Sequence, residues 1–424
     1  MNKFSEFNLN ELILKAIEKQ GYDSPTKVQK KVIPIIDKGI DVVAASKSGT
    51  GKTAAYILPM IKKINSNLNY KNRVLRGLIL VPTRELAEQV SKTLADLGEF
   101  LKLKHTKVIG GTSRTKQIQV LSSGVDIVVA TTGRLLDLVG EGFINLESVN
   151  FIVLDEADTM LEMGFIEEIE KVLSLCSPYR QMVMCSATIS QNINKLAKEF
   201  LKDPVTVQVH DRRDTVHLIE HFAYKIDKTK KKELVAKLIL ESGYEQILLF
   251  VNKKDSVDSA IEYFGQFKIK AAAIHGGIEY KQRVQSIKDF KNKKVQVLIA
   301  TDIAGRGLDI EKLPLVINYS LPETTDDFTH RTGRTGRAGN RGEVITILTT
   351  EDYNRFTKIE RDLRLNVKRL VHDEFPLKDR QPRQKAQAKK KLSEIKGKKT
   401  PVKKEPPKSK KTTKRDANRN FRKK

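Results

Sequence analysis

The segment SKSGTGKT, Ser46 to Thr53, places two glycines, a lysine and a hydroxyl at the spacing of a phosphate loop. Gly49 and Gly51 let the backbone curl so that its N–H groups face phosphate oxygens. Lys52 supplies charge for the terminal phosphates, and Thr53 offers a hydroxyl to a magnesium ion. Ser46 stands where the pattern has its first glycine, one small residue for another, and Lys47, Ser48 and Thr50 complete the loop. Downstream, FIVL from Phe151 runs straight into the acidic turn Asp155 to Asp158. There Asp155 can hold magnesium, partly through water, and Glu156 can orient and activate an attacking water. An acidic tetrad alone is commonly a solvated turn. Behind an apolar run and downstream of a phosphate loop, it reads as the second half of a nucleoside triphosphatase site.

Both segments need a strand end to hold them. Short β-rich runs supply candidates: DVVAA from Asp41, GLILV from Gly77, DIVVAT from Asp126, FIVL from Phe151 and QMVMCSA from Gln181. Longer stretches with helical spacing separate them, such as ELAEQVSKTLADLGEFL from Glu85, so a mostly parallel sheet covered by helices is expected. The rhythm restarts with ILLFVN from Ile247, AAAIH from Ala271, VQVLIA from Val295, LVINY from Leu315 and VITIL from Val344. The expected fold class is α/β, two parallel-sheet domains in tandem. The joint is placed in the polar run at 210–216, which leaves 1–209 and 217–375 as the folded units.

Charge separates the end of the chain from the rest. The whole chain of 424 residues has a formal charge of +26, and residues 380–424 carry 20 Lys plus Arg against 3 acidic residues. Residues 376–424 are poor in apolar side chains and are expected to be a disordered basic tail. Such a charge points to a polyanionic partner, and with one aromatic, Phe421, the tail lacks the stacking residues of a base-reading surface. Cys176 and Cys185 show no metal spacing and read as buried, reduced thiols. No apolar stretch of about 18 residues occurs, so no membrane span is expected. His217 and His221 lie in VHLIEHFAYKI, which reads as a strand; four residues there span about 13 Å, too far to chelate one ion.

Taken together, these motifs resemble those of the DEAD-box RNA helicases of superfamily two, in particular the bacterial branch, over about Phe4 to Val371. The resemblance implies two RecA-like domains. Phe4 with GYDSPTKVQ, Gly21 to Gln29, is similar to the family's adenine-reading motif, which implies Phe4, Tyr22 and Gln29 at the base and a preference for ATP. PTRELA from Pro82, Gly110 with Gly111, and TTGR from Thr131 resemble the elements that grip the RNA backbone, implying contacts from Arg84, Gly111, Thr131 and Arg134. Thr132 replaces the proline usual in that last motif. SAT, Ser186 to Thr188, resembles the element that bonds to the acidic segment and couples hydrolysis to strand separation through Asp158, Ser186 and Thr188. In the second half, ATDIAGRGLD from Ala300 and HRTGRTGR from His330 imply Asp309 at the ribose, Thr301 at RNA, and Arg334 and Arg337 as arginine fingers. HGGIEYKQR from His275 departs from the usual form after its first two residues, and the resemblance carries Arg283 to RNA there.

The resemblance further implies an ATP- and magnesium-dependent RNA helicase, a cytoplasmic monomer without a membrane partner. It would unwind short duplexes or remodel ribonucleoproteins when ATP and RNA together close its domains. Two other readings use the same residues: a DNA translocase sharing the two-domain engine, and an RNA-annealing factor whose basic tail does the work. The acidic tetrad and the adenine motif stand against the first, and intact Lys52, Glu156, Arg334 and Arg337 stand against a catalytically dead form of the second.

Overall fold

A computed structural model describes residues 2–46, 49–66, 68, 71–209, 218–305, 308, 310, 313–336 and 341–375. The expected linker, 210–216, and the tail, 376–424, lie outside the described residues, as do Lys47, Ser48, His217, Asp309 and Arg337.

The first lobe is built on β1 (Val42–Ala45), β2 (Gly77–Leu80), β3 (His105–Val108), β4 (Ile127–Ala130), β5 (Phe151–Leu154), β6 (Gln181–Ser186) and β7 (Val205–Gln208). The second uses β8 (Ile219–Lys225), β9 (Ile247–Phe250), β10 (Ala271–Ile274), β11 (Val297–Ala300), β12 (Leu315–Asn318), β13 (Gly342–Leu348) and β14 (Val367–Leu370). The pairings among these strands are parallel. The sheet orders are β3-β4-β2-β5-β6-β1-β7 and β10-β11-β9-β12-β13-β8-β14, one order used twice. Apolar clusters fill both faces of each sheet. That two-sided burial is why the central strands read as unbroken apolar runs. Among the described residues no helix is long and apolar enough to cross a membrane.

Sheet order sorts the motifs. In parallel strands all carboxyl ends lie on one edge, where open α/β sheets hold ligands. Along that edge β3 leads to Gly110–Gly111, β4 to Thr131–Arg134 and β2 to Pro82–Ala87. Then β5 leads to Asp155–Asp158, β6 to Ser186–Thr188 and β1 to the phosphate loop. Elements expected at RNA therefore occupy one end of the edge, and elements expected at nucleotide the other. Register keeps them level: Leu80 pairs with Leu154, Leu154 with Met184 and Ala45 with Ser186.

Asp41 ties the nucleotide end of this lobe together. Its buried carboxylate accepts from Met182 N at 2.8 Å and from Lys202 N at 2.7 Å, joining the start of β1 to β6 and to the end of the helix Gln191–Phe200. Asp41→Ala strands one buried and one part-buried N–H donor and should lower unfolding stability by about 1–3 kcal/mol in urea titrations. A loss below about 0.5 kcal/mol would contradict this role for the residue.

Candidate active site

The phosphate loop leaves β1 hydrogen-bonded to its neighbour, with Ser46 N donating to Ser186 O at 3.1 Å. Gly51 then takes φ +94° and opens the helix Lys52–Asn65. A side chain there is excluded twice, by the backbone conformation and because a Cβ would come within 2.6 Å of Gln29 Nε2. Gln29 is buried at the third position of the helix Lys27–Asp37. Its Oε1 accepts from Thr26 N at 2.9 Å and its Nε2 donates to Gly51 O at 3.1 Å, so the expected adenine reader is also bonded to the phosphate loop. The Ser46 and Thr50 hydroxyls share a hydrogen bond of 2.7 Å, and Lys52 Nζ donates to Ser46 O across the loop.

A cleft of about 500 Å³ opens beside this loop. Phe4, Tyr22, Gln29, Gly49, Gly51, Lys52, Thr53, Asp155 and Glu156 of the first lobe line it. Arg334 and Leu308 of the second lobe line it too. The Phe4 and Tyr22 rings lie 6.5 Å apart, an apolar corner suited to a base. Arg334 is held by donating from Nη1 to Leu308 O at 2.6 Å.

Asp155 is buried and Glu156 half-buried, and desolvation dominates the acidity of both. Asp155 is raised above its ordinary pKa by desolvation, opposed by the charge of Lys52. Its Oδ2 accepts from Tyr56 OH at 2.8 Å and its Oδ1 from Glu156 N at 2.9 Å. Glu156 is pushed up to about 7 by desolvation and by Asp155, with Arg334 pulling the other way. Its backbone is left-handed at φ 51°, and Oε2 is buried without a hydrogen-bond partner among the described residues. A carboxylate held in that strained conformation with an unsatisfied oxygen is set up to take a ligand proton. Asp158 is not part of the cleft lining; its Oδ2 accepts from Ala187 N at 2.8 Å and lies 3.8 Å from His330 Nε2 of the second lobe. The link to the Ser186–Thr188 segment is thus a backbone donor; the Ser186 hydroxyl instead donates to Thr188 O at 2.7 Å.

Hard oxygen donors, Thr53 and Asp155, stand at the phosphate end of the cleft, and the described residues contain no cluster of three or more His, Cys, Asp or Glu able to cage an ion. A sparse oxygen set of that kind fits magnesium, which keeps waters and binds through one or two protein groups plus substrate phosphates.

A second cleft, about 510 Å³, lies at the other end of the edge. It is lined by Arg84, Gly111, Thr131, Arg134 and, from the second lobe, Arg283 and Ile303. Thr301 sits just past β11 and does not line either cleft. Thr132, the departure from the family form, donates to Glu168 and starts the helix Thr132–Gly140, so the turn survives without proline. Arg283 Nη2 lies 2.9 Å from Glu85 Oε1, an ion pair by distance whose angle is not that of a hydrogen bond.

Sequence reasoning misses Tyr56, Glu85, Glu88 and Tyr280. Tyr56 carries a signal: three and four positions after Thr53 and Lys52 on a helix, it shares their face, a polar tip in an apolar stretch. The others meet across the lobes, which local pattern does not report.

Two RecA-like lobes that share a nucleotide cleft, with lysine and carboxylates from the first and an arginine from the second, define an ATP-driven motor of the helicase class. The model of DEAD/DEAH box helicases matches residues 26–196, and that of the helicase conserved C-terminal domain matches residues 230–339. The DEAD-box ATP-dependent RNA helicase CshA of Geobacillus kaustophilus is 35% identical over 370 residues, 87% of this chain and 78% of its own. A probable ATP-dependent RNA helicase of Methanocaldococcus jannaschii is 37% identical over 368 residues, 87% of this chain and 97% of its own. Among solved structures, S. cerevisiae Dbp5 bound to RNA and ADP BeF3 superposes with a TM-score of 0.80 at 25% identity, covering 93% of this chain and all of that one. The chain belongs to the DEAD-box ATP-dependent RNA helicase family.

In protein free of nucleotide and magnesium, folding raises the Glu156 pKa from 4.5 to about 7. The native state then holds this proton more tightly than the unfolded state, so stability present below pH 4.5 is lost as pH rises to about 7. Glu156→Gln keeps the shape and removes the charge. It should melt above wild type at about pH 8, with most of that gap gone by about pH 5; a gap independent of pH would count against buried ionisation.

Proposed function

We propose that this chain is an RNA-dependent ATPase that separates short RNA duplexes or remodels ribonucleoproteins, working through a site divided between its lobes. The observation that carries this reading is Arg334, a second-lobe side chain lining the same cleft as Lys52, Asp155 and Glu156 of the first. Neither lobe alone holds both the carboxylates and that arginine. In the proposed cycle ATP enters with its base against Phe4 and Tyr22, while Gln29 selects adenine. Lys52 neutralises the terminal phosphates, and Glu156 holds the attacking water and accepts its proton. Arg334 meets charge developing on the γ-phosphate, which makes hydrolysis depend on closed lobes. Asp155 and Thr53 would hold magnesium, which would supply positive charge to neutralise the phosphates. Arg337 and Asp309 are assigned by family resemblance to the same cleft.

RNA is assigned to the second cleft, with Arg84, Arg134 and Gly111 on its backbone and Arg283 contributing from the other lobe; Thr301, outside the cleft lining, is assigned to RNA by family resemblance alone. The domain bounds 1–209 and 217–375 fit one ATP-binding and one C-terminal helicase unit. One chain supplies both halves of the nucleotide site, so a monomer suffices, and the buried free thiols Cys176 and Cys185 suit a reducing cytoplasm. The basic tail is assigned a tethering role toward RNA phosphate, without reading of sequence.

Lys52→Ala, Glu156→Gln and Arg334→Ala should each cut RNA-stimulated phosphate release by roughly a thousandfold. DNA of the same sequence should fail to stimulate the wild type. Wild-type rates in any of the three purified variants would remove that residue's role. Deletion after Phe375 should weaken RNA binding most at low salt and flatten its salt dependence; an unchanged slope would dismiss the tether.

A further inference from the structure

Tyr280 opens the helix Tyr280–Lys291 of the second lobe, yet its ring packs against the apolar cluster of the first. Its phenol donates to Glu88 Oε1 at 3.0 Å. Glu88 is pre-oriented within its own lobe, because Lys107 on β3 binds its other oxygen. Burial and the neighbouring Glu88 both push the Tyr280 phenol well above its ordinary pKa, which keeps it a donor.

The same ring touches Arg84. The guanidinium carbon lies 5.7 Å from the ring centroid, and the Gly110–Gly111 backbone runs close beside it. A Cβ on Gly110 would come within 3.1 Å of Arg84 Nη2, and one on Gly111, where φ is +75°, would collide with Nη1 and come within 3.0 Å of Tyr280 Cβ. Arg84 is thus packed close to bare first-lobe backbone and to a second-lobe aromatic ring. Among the described residues no carboxylate pairs with it and no acceptor bonds it. Arg283 differs, since Glu85 already stands against it. A guanidinium whose faces are held while its donors remain unspent is oriented for an external acceptor.

We propose that Tyr280 is an interlobe positioning residue: it seats Arg84 against Gly110–Gly111 and anchors on Glu88, so that the first lobe's grip on RNA phosphate is complete only when the lobes close. The ligand is a phosphate of the RNA backbone, and the inference rests on the assignment of RNA to this cleft. Closure brings the ring over the cation, and the bound phosphate then favours the closed lobes by the same interaction.

The test titrates RNA against ATP hydrolysis in the full chain. Tyr280→Ala removes ring and phenol and should raise the RNA concentration for half-maximal rate roughly tenfold, with the rate at saturating RNA within about twofold of wild type. Tyr280→Phe keeps the ring and should recover most of that loss. Glu88→Gln placed on Tyr280→Phe should add less than it does alone, because the pair shares one hydrogen bond. Unchanged half-saturation in Tyr280→Ala overturns the proposal. So does a lower saturating rate without a shift in half-saturation, which would mean a role in the catalytic step, and so does strict additivity of the Phe and Gln changes. If wild type itself shows no RNA stimulation, the functional assignment falls instead, so the two failures are distinct.

Discussion

Two adjacent carboxylates, buried Asp155 and half-buried Glu156, lie on a turn at the end of β5, and much of the surrounding structure offsets the cost of putting charge there. Desolvation pushes both toward their neutral forms, and Asp155 raises Glu156 further. Lys52 opposes this from within the lobe, and Tyr56 and the Glu156 N–H donate to Asp155. For Glu156 the largest opposing charge is Arg334, carried by the other lobe. Glu156 therefore draws its largest compensating charge from the second lobe, with Lys52 of its own lobe contributing less. Left-handed backbone at Glu156 adds local strain, which the packed ends of β5 and β6 over-determine.

The repeated strand order explains how so few residues keep two ligands apart. Placing β5, β6 and β1 together collects the acidic turn, the Ser186–Thr188 segment and the phosphate loop, while β3, β4 and β2 collect the other group. The helix Arg84–Leu97 runs between them. Arg84 and Glu85 line the second cleft, whereas Leu86, Gln89 and Thr93 line the nucleotide cleft. One rigid element thus has a face in each site, and Thr83 fixes its start by accepting from Leu86 N at 3.2 Å. A shift of this helix would be felt at both ligands.

Central strands are legible because both faces are buried, which writes an apolar run into the sequence. HTKV, VTVQ and VKRL do not read as strands, yet they are β3, β7 and β14, each at the edge of its sheet. Edge strands keep one flank in solvent and carry Lys, Thr or Arg, so neither run nor alternation stands out. Motif residues such as Lys52, Glu156 and Arg334 can be named because phosphate chemistry demands their types and the family keeps their order. Tyr280 meeting Glu88 across 192 positions has no local signature. Only the packing of one lobe on the other reveals it, as with Asp158 and His330.

Coupling in this molecule follows from which contacts exist only when the lobes meet. Arg334 at the nucleotide, His330 at Asp158, and Tyr280 and Arg283 at the second cleft all come from the second lobe. Closure is therefore a single conformational variable on which both ligands draw. A ligand shifts that equilibrium only by its differential affinity for closed over open lobes. If RNA tightens ATP through closure by some factor, ATP must tighten RNA by the same factor, since both are measured against one equilibrium. In the proposed cycle, hydrolysis removes the γ-phosphate assigned to Arg334, and the closed state loses one of its two supports. On the proposed assignment, the RNA grip would then weaken at the other end of the sheet without any signal having to travel there, because the contacts that completed it belong to the second lobe.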